Sequence, residues 1–234
     1  MLIILRKIIY AEKQKIKNTL VHFFVVEITD INLAIKHTYY SISDISWINK
    51  FTDVAVREGY LIRANGTINY LSKHFDENSK INESTGEYLI SITAKDTIVE
   101  TLNYKDIPIG EVLGQKVSNN PGFDYYAENI KENYVVFGEA KYKTNSSSYR
   151  AALKQILMFI GQERDFSDYI SIKEFLENET IENMQKKIKG FSAGFTFLGK
   201  KENFITQIFQ KEDFQELLKY KELILIGVKI NEQK

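Results

Sequence analysis

The sequence predicts an α/β fold, and three observations carry the prediction. Apolar runs rich in Ile, Val and Phe at 20–28, 134–137 and 223–230 have strand composition. The segment 82–104 places Leu89, Ile92, Val99 and Leu102 on one helical stripe. The cluster Asn145-Ser146-Ser147-Ser148 is cap chemistry, opening a helix to about residue 162 between two strand candidates.

The elements follow in order. Strands are expected over 2–10 and 20–28, flanking a basic turn at 12–18. Thr29-Asp30 caps a helix to about residue 40, and a second helix covers 47–64, stopped by Asn65-Gly66. Residues 1–80 therefore form an N-terminal α/β region. The long helix over 82–104 starts at Asn82 or Ser84, and a strand follows over 107–116 with Pro108 near its start. Segments 122–129 and 133–143 form a hairpin. After the helix ending near 162, helices are expected near 172–189 and 204–220, with strands at 194–198 and 223–230.

Composition narrows the function classes. The chain has 234 residues, 44% hydrophobic, enough for a sizeable core. Two prolines and twelve glycines argue against long disordered linkers. The absence of cysteine excludes disulfides and thiolate metal sites. Arg6-Lys7 interrupts the apolar start too early for a signal peptide, and no run reaches the ~20 apolar residues of a membrane span. A soluble, cytoplasmic protein with no membrane partner is expected. No P-loop is present, and His22, His37 and His74 lack metal-ligand spacing.

The chemistry concentrates in the hairpin. An aspartate in Gly122-Phe123-Asp124 precedes Val135-Val136-Phe137-Gly138-Glu139-Ala140-Lys141. Opposed residues of an antiparallel hairpin have position numbers of constant sum. A turn centred between Lys131 and Glu132 sets Asp124 against Glu139, and Lys141 shares the face of Glu139. A one-residue slip would send Asp124 to the other face. Two adjacent carboxylates repel, and a cation relieves that cost. Hard oxygen ligands suit Mg²⁺ or Mn²⁺, so Asp124, Glu139 and the Ala140 carbonyl form the expected metal set. Lys141 would orient water or stabilise developing charge, and Gly138 permits a close approach beside Glu139. A charged strand end simply reaching water is the competing reading. Of the two Asp/Glu-x-Lys triplets, Glu139-x-Lys141 follows an apolar strand, whereas Glu232-x-Lys234 lies in a polar tail.

Asp124 with Glu139-Ala140-Lys141 resembles the PD-(D/E)xK superfamily of restriction-endonuclease-like nucleases, over about 84–159. Pro121 lies three residues before the aspartate rather than adjacent to it. The resemblance implies an αβββαβ core within 81–234, with 1–80 as an N-terminal extension, and DNA as substrate. More narrowly, Gly86-Glu87-Tyr88-Leu89, Gly-Phe-Asp and Phe-Gly-Glu-Ala-Lys are similar to the nuclease subunit of the Hachiman anti-phage system and the AbpA family. That resemblance implies a helicase partner that restrains the nuclease and supplies DNA engagement, with 1–80 as a docking face.

The resemblance adds Glu87 as a metal residue, although a carboxylate there also suits the helix dipole. Gln155 is similar to the glutamine of the Gln-x-x-x-Tyr motif of RecB-like nucleases, with Phe159 where tyrosine is expected. A solvated helix-face glutamine is the alternative. Lys143, Arg150 and Lys154 follow the triplet with no acid between and are nucleic-acid-binding candidates, or an ordinary solvated face. Lys plus Arg and Asp plus Glu both number 31, so the basic surplus usual in free-standing DNA binders is missing. A partner would then supply the grip. A non-catalytic adaptor, and a restriction or junction-resolving enzyme on the same fold, remain open at this stage.

Overall fold

A computed structural model describes residues 6–72, 83–113, 122–199 and 201–230. Asn82, Lys116, Pro121 and the Glu232-x-Lys234 triplet lie outside the described residues, and so does the end of the strand expected over 107–116. The described chain is mixed α/β, built on one seven-stranded sheet of order β1-β2-β7-β6-β5-β4-β3.

β1 (Arg6–Ile16) and β2 (Thr19–Ile28) form an antiparallel hairpin. Its turn is only Lys17-Asn18, not the whole of 12–18. Lys17 takes a left-handed φ of 54°, which tightens the connection. β2 then runs parallel to β7 (Glu222–Ile230), nine residues in register. The sheet thus crosses from the N-terminal region to the last strand of the chain. β7 lies between β2 and β6, so its Leu223, Ile224, Leu225 and Ile226 are all buried. Continuous apolar sequence is what a strand covered on both faces requires.

α1 (Ile31–Ser43) is capped by Asp30, whose carboxylate accepts from the Leu33 N–H at 3.0 Å. The single helix expected over 47–64 divides. Ser46–Lys50 is a 3₁₀ turn, and α2 spans Val54–Ser72, running straight through Asn65-Gly66. Asp53 is the true start signal, accepting from Ala55 N at 2.8 Å and Val56 N at 3.2 Å. Gly66 has open space around it, so it costs the helix only about 1 kcal/mol, too little to end it.

α3 (Glu83–Leu102) is followed by β3 (Lys105–Ile107), β4 (Tyr125–Asn129) and β5 (Tyr134–Lys141). β3 stops at Pro108, which has no N–H to continue the ladder. α4 (Tyr149–Gly161), α5 (Arg164–Ile172) and α6 (Asn178–Gln185) lead to β6 (Gly190–Thr196), and α7 (Lys201–Phe209) and α8 (Glu212–Leu217) lead to β7. The helix expected over 172–189 divides into a 3₁₀ turn, Lys173–Phe175, and α6, and the helix expected over 204–220 breaks between α7 and α8. β3, β4 and β5 are antiparallel, while β5, β6, β7 and β2 are parallel.

Two cores cover the two faces of the sheet. Ile90, Ala94 and Ile98 of α3 pack with Tyr125, Val136 and Ala140 on one face. Leu153, Ile156 and Phe159 of α4 pack with Phe123, Phe137 and Phe191 on the other. Each such buried side chain contributes roughly 1.5–3 kcal/mol. The parallel strands all end at one pole, which carries the C-termini of β5 and β6.

Candidate active site

The β4–β5 register is set by its loop. Asn129 Oδ1 accepts from the backbone N–H groups of Lys131 and Glu132, at 3.1 and 3.0 Å. Asn133 takes a left-handed φ of 55°. Together they close a four-residue connection without an Asn-Gly pair. Asn129 then faces Tyr134, and the pairing runs to Tyr125 facing Gly138. Every pair has the constant sum expected from a turn between Lys131 and Glu132.

Asp124 lies one residue before this ladder. Its N–H donates to the Gly138 carbonyl at 2.8 Å, and its carboxylate accepts from the Ala140 N–H at 2.6 Å. The aspartate side chain thus continues the sheet's hydrogen bonding where β4 has ended. N–H and C=O of one strand residue leave by the same edge. The Ala140 carbonyl therefore points to the same side as Asp124.

Glu139 and Lys141 share a face, as alternation demands. Lys141 Nζ lies 2.8 Å from Glu139 Oε1 and 3.1 Å from Glu87 Oε1. Glu139 is fully buried, Asp124 is 2% exposed, and Lys141 and Glu87 are partly exposed. Burial pushes the Lys141 ammonium toward neutrality. The charges of Glu139, Asp124 and Glu87 outweigh that and hold its pKa above the ordinary lysine value. Sequence, register and electrostatics therefore bring Asp124, Glu139, Lys141 and Glu87 into one cluster.

Two glycines make the geometry possible. Gly138 leaves its position empty so that the Tyr125 ring can cross β5, and the Tyr125 hydroxyl meets Ser192 Oγ on β6 at 2.8 Å. A Cβ on residue 138 would stand 2.1 Å from that ring. The close approach at Gly138 is thus by a side chain rather than by backbone. Gly86 receives the Tyr142 ring, and a Cβ there would lie 2.2 Å from it. This contact seats the end of β5 against the first turns of α3 and brings Glu87 to Lys141.

Ser148 sits at the N-cap of α4 but makes no side-chain capping bond. Its hydroxyl instead donates to the Lys141 carbonyl at 2.6 Å and accepts from Thr196 N at 3.1 Å. The cap cluster read from the sequence therefore also ties the ends of β5 and β6 together. Gln155 is half-buried on α4, and no hydrogen bond joins it to the cluster. Lys143, Arg150 and Lys154 are exposed beside the site.

Asp168 escaped the sequence reading. It is buried on α5 and accepts from Phe123 N at 2.7 Å and the Tyr126 hydroxyl at 2.9 Å. It therefore anchors the backbone just before Asp124 and the side chain of Tyr126 just after it. Burial pushes its carboxyl up to about 6, against the lowering effects of the Phe123 and Tyr126 hydrogen bonds and Arg164. The available signal was Asp165 and Asp168 on the buried face of α5 with Ile172.

Asp124 and Glu139 are buried carboxylates, the donor chemistry that a hard divalent cation accepts. Among the described residues no group of three His, Cys, Asp or Glu is arranged to hold a metal ion. Glu139 and Glu87 both pair with Lys141, at 2.8 and 3.1 Å, and the Asp124 carboxylate accepts from Ala140 N. No helix among the described residues is long and apolar enough to cross a membrane. The chain matches no protein-family model and no curated protein sequence.

Proposed function

We propose that this chain is a metal-dependent nuclease on a restriction-endonuclease-like core, hydrolysing DNA phosphodiester bonds. The observation that carries the reading is the cluster of Asp124, Glu139 and Lys141 at the ends of β4 and β5. The element order α3, β3, β4, β5, α4, then β6 supports it, because it follows the αβββαβ order of that superfamily. The sheet order β3-β4-β5-β6, antiparallel until the last pair, is consistent with the same core.

Asp124, Glu139 and the Ala140 carbonyl would hold Mg²⁺ or Mn²⁺. A bound cation would acidify water and offset the negative charge of the phosphodiester. Lys141, kept as an ammonium by its three carboxylates, orients the attacking water and stabilises charge developing on phosphorus-bound oxygen. As an ammonium it is not the base. The water oxygen bonds to phosphorus and gives one proton to solvent, the phosphorus–oxygen bond to the leaving sugar breaks, and the departing sugar oxygen takes up a proton from solvent. Glu87 holds Lys141 from the α3 side. Gln155 is the assisting residue on α4. Lys143, Arg150 and Lys154 provide phosphate contacts on the adjoining surface, which suits positioning rather than base readout.

The neutral net charge favours a nuclease loaded by a partner over one that grips DNA alone. We assign that role to a helicase or ATPase subunit, in an anti-phage assembly of the Hachiman kind. A second reading, a non-catalytic interaction subunit, is favoured by the closed ion cluster of Lys141 with Glu139 and Glu87. Cleavage of plasmid DNA with Mg²⁺, by the chain alone and with the products of adjacent genes, separates the two. Glu139→Ala and Lys141→Ala are expected to lower the rate by roughly 10²–10⁴-fold. Unchanged cleavage by these variants would overturn the mechanism, and no cleavage in any combination would favour the interaction subunit.

A further inference from the structure

The opposite pole of the sheet carries a pocket that the nuclease reading does not use. Its volume is about 680 Å³, within the range typical of small-molecule sites. It opens where the β4–β5 loop, the end of α3 and the β1–β2 hairpin meet. Tyr134 and Lys141 stand seven residue steps apart at the two ends of β5, so this pocket lies roughly 20 Å from the carboxylate cluster.

The floor is a built polar network. Tyr104, Tyr134, Asn129 and His22 line it. Beneath them Glu222 is fully buried and accepts from the Tyr104 hydroxyl at 2.8 and 2.9 Å. His22 Nε2 stands 3.1 Å from the same carboxylate. Asn129 Nδ2 donates to both tyrosine hydroxyls, at 2.7 and 2.9 Å. The polar groups facing the pocket are therefore fixed in direction from below.

The rim is cationic. Lys13, Lys15, Lys131 and Lys221 border the pocket, against one acid, Glu132. Glu132 pairs with Lys221 at 3.4 Å. The remaining three lysines have no ion-pair partner among the described residues. In a chain of zero net charge, that is a local surplus placed around a cavity.

We propose that this pocket binds a small phosphorylated ligand of nucleotide size, the phosphate at the lysine rim and the hydrogen-bonding ring or sugar on the His22–Tyr104–Tyr134 floor. Inorganic phosphate would satisfy the rim and leave most of the cavity and the oriented floor unused. A duplex would meet the lysines but could not enter. Leu20 and Leu102 supply apolar walls for the body of the ligand. The site is independent of the nuclease chemistry, since it shares no residue with the Asp124 cluster.

The test is calorimetric titration of the full chain with AMP, GMP, CMP and UMP, and with sodium phosphate alone, in EDTA at low salt. At least one monophosphate is expected to bind roughly tenfold or more tightly than phosphate. Lys15→Glu combined with Lys131→Glu, both at exposed positions, should weaken that binding roughly tenfold or more. Tyr134→Phe should weaken the nucleotide while leaving phosphate binding as it was. Lys50→Glu, an exposed position that does not line the pocket, should bind the nucleotide as the parent chain does. The proposal falls if no monophosphate exceeds phosphate, if the rim variant binds unchanged, or if Lys50→Glu weakens binding as much as the rim variant does. Because the titration is run in EDTA and reads binding alone, each of these results leaves the nuclease reading as it was.

Discussion

The two ends of the β4–β5 hairpin treat buried carboxylates in opposite ways. At the loop end, Glu222 is fully buried yet meets neutral donors and one imidazole, each within hydrogen-bonding distance. At the other end, Asp124, Glu139 and Glu87 gather around one ammonium. In the first arrangement the Tyr104 hydroxyl answers Glu222 and Asn129 links the two tyrosine hydroxyls, and such networks rigidify a core. The second concentrates like charge around Lys141, which costs stability unless a cation or a reacting group completes it. Crowding, rather than burial alone, marks the candidate catalytic pole.

Removing Lys141 breaks this comparison most directly. Lys141→Ala strips the ammonium from three carboxylates and should cost about 3–5 kcal/mol in chemical denaturation, the range for breaking one partner out of a buried pair. Millimolar Mn²⁺ should then raise the melting temperature of the variant more than that of the parent, because the cation takes over the lost charge. If the variant is as stable as the parent and Mn²⁺ moves neither, the cluster is not crowded and holds no metal.

The hairpin that creates this crowding was legible in the sequence. The spacing of 124, 139 and 141 fixed the expected register, and the observed pairing has the same constant sum. What could not be read was why it holds. Asn129 and Asn133 replace a primed-turn dipeptide through a side-chain acceptor and a left-handed backbone, and no composition rule weights that pair. Gly138 was visible as a close approach, but the crossing Tyr125 ring depends on a contact between β4 and β6. The helix expected over 47–64 failed because Asn65-Gly66 is a weak stop in open space, whereas Asp53 is a real start. Asp168 was missed because its partner groups lie more than forty residues away in the chain.

Asp168 offers an intermediate case, since it is hydrogen-bonded like Glu222 yet lies beside the crowded pole. Its carboxyl is raised from 3.8 to about 6, chiefly by burial. A raised carboxyl favours the protonated folded state. That contribution is fully present below about 3.8 and is lost as pH rises through about 6. Asp168→Asn stays neutral throughout, and its amide oxygen still accepts from Phe123 N. The stability of the parent relative to this variant should therefore fall by about 2 kcal/mol between pH 4 and pH 7. Denaturation curves at four pH values measure it. A flat difference would place Asp168 with the satisfied carboxylates of the loop end.

The smallest effect separates the surface of the crowded pole from its interior. Arg150 and Lys154 lie four residues apart on α4, exposed, and both are free of ion pairs among the described residues. Replacing both with glutamine removes no packing, so stability should change by less than about 0.5 kcal/mol. If they contact phosphates, DNA affinity should fall by a similar factor for every sequence. The slope of log affinity against log salt should shrink by about 0.9 per lost contact with duplex DNA. Fluorescence anisotropy with labelled duplex at several salt concentrations reads both quantities, with the products of adjacent genes added if the chain alone does not bind. An unchanged slope with unchanged affinity would make this face an ordinary solvated helix surface. The convergence of charge at this pole would then stop at the buried cluster and not extend to the surface beside it.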